Sequence, residues 1–399
     1  MDVDVRRATL ATYAAFVASG VGLTTWLARI PQIRDELRLD SSALGLVLLA
    51  VSAGAVLALP LAGPLVARVG SRRTVAATTV LFGVGLAVVA VGTTVGVAPV
   101  VAGLFVLGFA TGGWDVAMNV QGTVVERALG RSIMPRFHAG FTLGSVVGSL
   151  VSAAMVAARV PVAVHLAVVA VLVAAVVPVV ARRFVPDRAA SARDEPVRDD
   201  QLRERAGSSL GAWRERRTVL LGFFVLAFTF AEGAGNDWIS VAAIDDHGVP
   251  PSVATLAFAG FLAAMTAGRW FGPALLDRYG RVPVVRALAL TGAVGAALFV
   301  FAPAPLAFVG TLLWGAGIAL GFPVGMSAAA DQPDSAAARV GVISSIGYCA
   351  FLAGPPAIGF LGDQVTVLRA LVTVAVLLGV AALCAAIVAP SPLTEAARR

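Results

Sequence analysis

Long apolar runs separated by short polar ones dominate this chain. A run near twenty residues is what a helix needs to cross ~30 Å of hydrocarbon, and twelve such runs can be marked. In the first half they lie at about 8–28, 42–66, 74–92, 97–125, 138–158 and 161–181. In the second half they lie at about 218–241, 252–275, 284–302, 305–328, 340–361 and 366–389. The pattern predicts an all-α integral membrane protein with twelve transmembrane helices. Residues 182–217, rich in Arg, Asp, Glu, Ser and Pro, are too polar to bury and read as a partly disordered linker. They divide the chain into an N-terminal six-helix bundle at 1–181 and a C-terminal one at 218–399.

Composition agrees: 58% of the 399 residues are hydrophobic and 13% are charged, with a mean hydropathy of +0.89, against ~25% charged in soluble domains. All 30 basic residues are arginine, and the net charge is +7. Such a charge can signal nucleic acid, but the arginines lie between apolar spans, so their meaning is topological and no nucleic-acid partner is expected. They crowd the even-numbered loops and the termini: Arg68, Arg72 and Arg73, Arg127 to Arg136, ten in the linker, Arg278, Arg281, Arg286, Arg339 and Arg398. The positive-inside rule then puts both termini and the linker in the cytoplasm. The first external loop is the exception, where Asp35, Glu36 and Asp40 balance Arg29, Arg34 and Arg38. The N-terminal run resembles a secretory signal but is too long for one and reads as a retained first helix. Cys349 and Cys384 fall inside spans and read as small hydrophobes.

Ionisable groups within spans are functional candidates by default. Asp115 and Asn119 share one face of the fourth span at i, i+4, with Trp114 and Met118 as a neighbouring stripe. Glu232 and Asn236 repeat the arrangement on the seventh span, followed by Asp237 and Trp238 near its external end. Asp115 serves either as a proton site or as an interhelical hydrogen-bonding or ion-paired group. Glu232 is a second proton carrier; Asp237 is an interfacial cap or the gate partner of an arginine such as Arg29. His138, at the cytoplasmic start of the fifth span, is a proton relay or a hydrated interfacial residue. Arg29 and Arg269, at span edges, are gate residues, anion-binding forks or snorkelling anchors. The glycine-rich tenth and eleventh spans, with Pro323, Pro355 and Pro356, fit bending or close packing. No phosphate-binding loop, nucleophile triad or metal-ligand spacing is present, so ATP-driven transport, enzymatic chemistry and a bound cofactor are not expected.

The halves echo each other. Arg68-Val69-Gly70-Ser71-Arg72 recurs 210 positions later as Arg278-Tyr279-Gly280-Arg281, and Arg136 precedes Gly144 as Arg339 precedes Gly347. Parallel six-helix repeats leave symmetry of this kind. With the six-plus-six spans and the central linker, these loops resemble the major facilitator superfamily over the whole chain. WLARIP (Trp26–Pro31), WDVAMN (Trp114–Asn119), FHAGFTLG (Phe137–Gly144), EGAGNDW (Glu232–Trp238) and GYCAFLAGPPAIGF (Gly347–Phe360) resemble a bacterial branch of largely unassigned substrate, distantly similar to the fucose:proton symporter. One departure stands out: the superfamily's loop motif carries an aspartate where this chain has Ala67, whereas the second half keeps Asp277. The resemblance implies a gating latch between halves built on that aspartate, with Arg68, Asp277, Arg278 and Arg281; at Ala67 its carboxylate is missing or replaced.

The resemblance implies that the first, fourth, seventh and tenth spans line a central cavity. The expected activity is proton-coupled secondary transport of a small polar solute by alternating access, in the bacterial inner membrane, by a monomer whose partners are its solute, protons and the lipid bilayer. Asp115, Glu232 and His138 would carry protons, and Trp114, Asn119, Asn236 and Trp238 would hold the solute. Two alternatives are a proton antiporter exporting a drug or secondary metabolite, which the missing Gly-Pro signature in the fifth span disfavours, and a transport-inactive sensor or assembly partner. Counting along the helices places Asp115 on the cytoplasmic side of the midplane and Glu232 near or slightly outside it, so the two would be protonated in sequence.

Overall fold

Hydropathy decides where these helices fall, and a few turn residues decide where they stop. The computed structural model describes residues 3–130, 133–187, 211–331 and 336–390; the central part of the expected linker, 188–210, lies outside the described residues. Among the described residues all regular structure is helical. The first half runs through α1 (Val3–Leu27), α2 (Ile30–Leu37), α3 (Ser41–Val69), α4 (Ser71–Val95), α5 (Val97–Leu129), α6 (Met134–Ala157) and α7 (Val162–Ala181). The second half runs through α8 (Arg216–Asp245), α9 (Pro251–Tyr279), α10 (Arg281–Phe301), α11 (Ala304–Ile318), α12 (Gly321–Ala329), α13 (Ala336–Val365), α14 (Val367–Ala370) and α15 (Val372–Leu383), with a closing 3₁₀ turn at Ala385–Val388. Eleven helical spans among the described residues are long and apolar enough to cross a membrane, and Val367–Leu383 is a shorter twelfth. The fold is thus an all-α membrane protein of two six-helix sets.

Glycine explains the repeated loops. Gly70 and Gly280 join α3 to α4 and α9 to α10 with φ of +88° and +81°, a region where a Cβ is strained. That requirement is the structural content of the Arg-x-Gly echo.

Three sequence expectations are corrected. The first external loop is largely helical: α2 begins with Pro31 in its first turn and buries Ile30, Pro31 and Ile33. Its charges are spent locally, since Arg34 pairs with Asp35 at 2.8 Å and Asp40 caps α3 by accepting the Ala43 N–H at 2.7 Å. The tenth span is two helices, α11 and α12, broken at Ala319–Leu320. Pro323, four residues beyond Ala319, has no N–H to give that carbonyl, so the ladder fails there. The twelfth span is likewise interrupted, at Leu371 and after Leu383.

The chain forms two compact units, Met1–Asp194 with Gly248–Ala259, and Glu195–His247 with Gly260–Arg399. In the first, α4 lies against α5 and α7, α3 against α5, and α1 against α6. In the second, α10 lies against α11 and α15, and α13 and α12 against α8. Lipid gives no hydrophobic drive for helix pairing, so contact rests on close packing of small residues. A Cβ on Gly85 would lie 2.9 Å from the Gly103 carbonyl oxygen, and one on Gly295 would lie 2.7 Å from the Gly310 oxygen. The same glycine-to-glycine contact therefore binds α4 to α5 and α10 to α11. Most hydroxyls within spans bond their own helix: Thr12 to the Ala8 carbonyl (2.8 Å), Thr79 to Val75 (2.8 Å), Ser152 to Gly148 (2.8 Å) and Thr229 to Val225 (3.0 Å).

Candidate functional site

In the first unit the polar face of α5 is real. Asp115 lies beyond the middle of this 33-residue helix and is exposed. The Asn119 side-chain amide donates to the Asp115 carboxylate at 3.2 Å and to its backbone carbonyl at 2.8 Å. The adjacent face is packed. Trp114 is fully buried, its ring edge-on to Phe82 of α4 at 5.7 Å, and Met118 is buried beside it. The expected stacking role for Trp114 meets a ring that packs against Phe82 and is closed off from solvent, and among the described residues its indole N–H has no partner. The stripe was read properly as helical, but a period of 3.6 alone does not say which stripe faces inward.

Arg29 also differs from expectation. It stands at the bend between α1 and α2 and is 2% exposed, so it is no outward-facing edge residue. Its Nε donates to His165 Nδ1 at 3.1 Å and its Nη2 to the Val160 carbonyl at 3.0 Å, tying the bend to the start of α7. The kink introduced before Pro31 turns the side chain inward, which a straight-helix reading misses. His138 is exposed at the start of α6, with Phe16 edge-on at 5.2 Å.

In the second unit, Glu232 sits close to the middle of α8 and is joined to Arg269 of α9. Arg269 Nη2 reaches both carboxylate oxygens, at 2.9 and 3.0 Å, while its Nε makes a long 3.4 Å bond to the Ala319 carbonyl at the break between α11 and α12. Sequence reasoning named both residues but not their union, because 37 positions separate them and side-chain pairing across helices leaves no periodic trace. Glu232 is therefore an ion-paired carboxylate, held by Arg269. Asn236 and Asp237 are half-buried and Trp238 is fully buried; among the described residues the Asn236 side-chain oxygen has no donor and the Trp238 indole N–H no acceptor. Trp238, like Trp114, is closed off from solvent.

Arg68, Asp277 and Arg278 are exposed, and Arg278 lies over the ring of its neighbour Tyr279 at 5.1 Å. Arg281 is held: its Nη1 meets Asp331 at 2.8 and 2.9 Å and its Nη2 meets Ser327 at 2.9 Å. The Asp331 side chain is 3% exposed and lies 3.8 Å from Arg217 as well. Sequence reading overlooked it, although an acidic residue closing an apolar span was visible. It overlooked two further carboxylates. Asp187, after α7, accepts from the Ser71 N–H and, at 2.6 Å, from the Ser71 hydroxyl. A carboxylate from outside the loop motif thus sits on the loop where Ala67 lacks one. Glu215 accepts from Arg339 at 2.6 and 3.0 Å and from Thr218 at 2.8 Å. The Arg339 hydrogen bond, aided by Thr218, holds its carboxyl below the usual glutamate range against an opposing contribution from burial.

The sequence pattern of the major facilitator superfamily matches residues 11–242 and 230–399. An uncharacterised MFS-type transporter of Yersinia pestis is 30% identical over 371 residues, covering 92% of each chain. The crystal structure of the nucleoside transporter NupG superposes with a TM-score of 0.78 at 15% identity, over 97% of this chain and 99% of that one. The Escherichia coli fucose:proton symporter FucP superposes with a TM-score of 0.61 at 16% identity, over 98% and 100%. At those identities the two structures speak for the fold, whereas the sequence matches speak for descent. Twelve helical spans in two sets of six, with a carboxylate inside a span of each set, belong to a chain that is a member of the major facilitator superfamily.

Proposed function

We propose that this membrane transporter moves a small polar solute by alternating access and couples the movement to protons. The observation that carries the reading is Asp115: an exposed carboxylate inside a transmembrane helix, sharing its face with Asn119. A lone carboxylate at that depth is costly, and its natural use is proton exchange. Protonation removes the charge, alters which state of the two halves is favoured, and is linked to solute binding by the same equilibrium. Asn119 and Asn236 are the hydrogen-bonding groups for the solute, with Trp114 and Trp238 bracing them from behind. Among structural relatives, NupG is a nucleoside transporter, FucP a fucose:proton symporter and XylE a xylose transporter, which supports a hydroxyl-rich cargo. The chain sits in the bacterial cytoplasmic membrane as a monomer, its arginine-rich loops and both termini facing the cytoplasm. Asp115 then lies toward the cytoplasmic side and Glu232 nearer the middle.

The test uses proteoliposomes loaded with protein and labelled nucleosides, fucose or xylose, chosen by which compound raises thermal stability of the purified protein. Asp115→Asn is expected to abolish uptake driven by a pH gradient while solute exchange persists. If gradient-driven uptake survives in Asp115→Asn, the coupling role is refuted.

A further inference from the structure

The break in the tenth span has different neighbours on its two sides. Before it, α11 is fastened to α10, where Gly295 and Gly310 meet, and Gly317 abuts Gly292. After it, α12 is fastened to α8: Gly321 lies against the Phe228 ring and Gly325 against Val225, with no room for a Cβ at either glycine. Two arms of one span are thus committed to different helices, and the joint between them is Ala319–Leu320. α9 runs alongside the joint, with a Cβ on Gly268 falling 2.6 Å from the Ala319 Cβ. From that helix Arg269 reaches into it.

Pro323 leaves the Ala319 carbonyl without its helical donor, and the Arg269 Nε supplies one at 3.4 Å. The same guanidinium holds Glu232 of α8, the helix to which α12 is fastened. We infer that Arg269 is a positioning residue that transmits the charge state of Glu232 to the angle between α11 and α12. While Glu232 is ionised, it anchors the guanidinium and keeps the Nε on the open carbonyl. When Glu232 is neutralised, the guanidinium loses its charged anchor, the carbonyl loses its donor, and the joint is free to change its bend. This deepens the proposed coupling mechanism and rests on Glu232 being one of its proton sites. Asp237, five positions on from Glu232, is the nearest other carboxylate on α8, and the structure pairs Arg269 with Glu232.

The inference is tested by electron-spin distance measurement across the joint in the full-length protein, without solute or pH gradient. Cys349 and Cys384, both exposed, are first replaced by serine. Labels are then attached at Val309→Cys and Ala330→Cys, exposed positions on either arm and ~32 Å apart along the helix at ~1.5 Å per residue. A bend change of ~15° on an α12 arm ~13 Å long moves its end by ~3 Å. Arg269→Lys keeps a cation for Glu232 but cannot also serve the carbonyl. Arg269→Lys and Arg269→Gln are both expected to shift or broaden the distance distribution by about that amount. Pro323→Ala restores the missing N–H and should make the distribution insensitive to either change. Glu232→Gln should shift the distribution when Arg269 is present and leave it unmoved in the Arg269→Lys background. An unchanged distribution in well-folded Arg269 variants would overturn the inference, as would a Glu232→Gln effect of equal size in both backgrounds. Because this readout involves no proton flux, it can fail while proton-driven uptake holds, and the reverse.

Discussion

Replacing Asp331 by asparagine removes one charge from a site that holds two arginines. Arg281 Nη1 lies 2.8 Å from the carboxylate and Arg217 Nη2 lies 3.8 Å from it, while the aspartate side chain is 3% exposed. Two unit charges with centres ~4 Å apart attract by ~4 kcal/mol at an effective dielectric constant of ~20. Breaking a buried pair by deleting one partner costs ~3–5 kcal/mol, because the survivor is left desolvated. Arg281 keeps its bond to Ser327 and a 17% exposed side chain, which argues for the lower end, ~3 kcal/mol. For a folding unit of ~200 residues, each kcal/mol moves the unfolding midpoint by ~2–4 °C, so Asp331→Asn should fall by ~6–12 °C. Arg281→Ala should fall less, since Arg217 remains to serve the carboxylate. The assay is the apparent midpoint of detergent-solubilised protein at one fixed scan rate, because unfolding of such proteins is governed by rate. Asp331→Asn, Arg281→Ala and the double variant form a cycle, and coupling of ~1 kcal/mol or more is expected for groups in contact. A double variant equal to the sum of the singles, or an Asp331→Asn midpoint within ~2 °C of the parent, would refute the pairing argument.

Acid should loosen the Glu215–Arg339 tie. The folded-state carboxyl is held below its ordinary value of 4.5, chiefly by the Arg339 hydrogen bond, so its contribution is fully present above 4.5 and is lost as pH falls below it. Glu215→Gln should therefore flatten that part of the acid limb of a stability-against-pH curve while the parent retains it. Gly144→Ala should destabilise by ~1–3 kcal/mol, because its Cβ would press on the Val17 carbonyl of α1. Gly341→Ala, with open space at that position, should be near neutral, and size-exclusion after graded heating separates the two. Arg29→Ala should cost ~2–3 kcal/mol in the same assay, by leaving the Val160 carbonyl and His165 Nδ1 without their donor.

Span positions were legible because hydrophobic length is a property of contiguous residues. α3 at Ser41–Val69 and α13 at Ala336–Val365 extend the expected 42–66 and 340–361 by a few residues at their ends, because a helix does not have to stop where its apolar run does. What escaped is non-local or geometric. Pro323 was noted, but the break it produces depends on which helices grip the two arms. Arg29 reads as an edge residue only if the first span is straight, and the bend before Pro31 puts it inside. The pairings Glu232–Arg269, Arg281–Asp331 and Glu215–Arg339 connect positions 37, 50 and 124 apart, so no window along the chain contains both partners. Composition does say that these acids are few, and scarcity is what made Asp115 and Glu232 conspicuous.

The span hydroxyls carry a consequence for cargo. Thr12, Thr79, Ser152 and Thr229 each satisfy themselves on their own helix. They ask nothing of a neighbour and have little to offer a passing solute. Under the proposed function, recognition is then left to a short roster of side chains, among them Asp115, Asn119 and Asn236, whose replacement strands no partner hydroxyl among the described residues. A scaffold wired this way can drift from one transported compound to another through two or three substitutions, with the rest of its interior indifferent to the change.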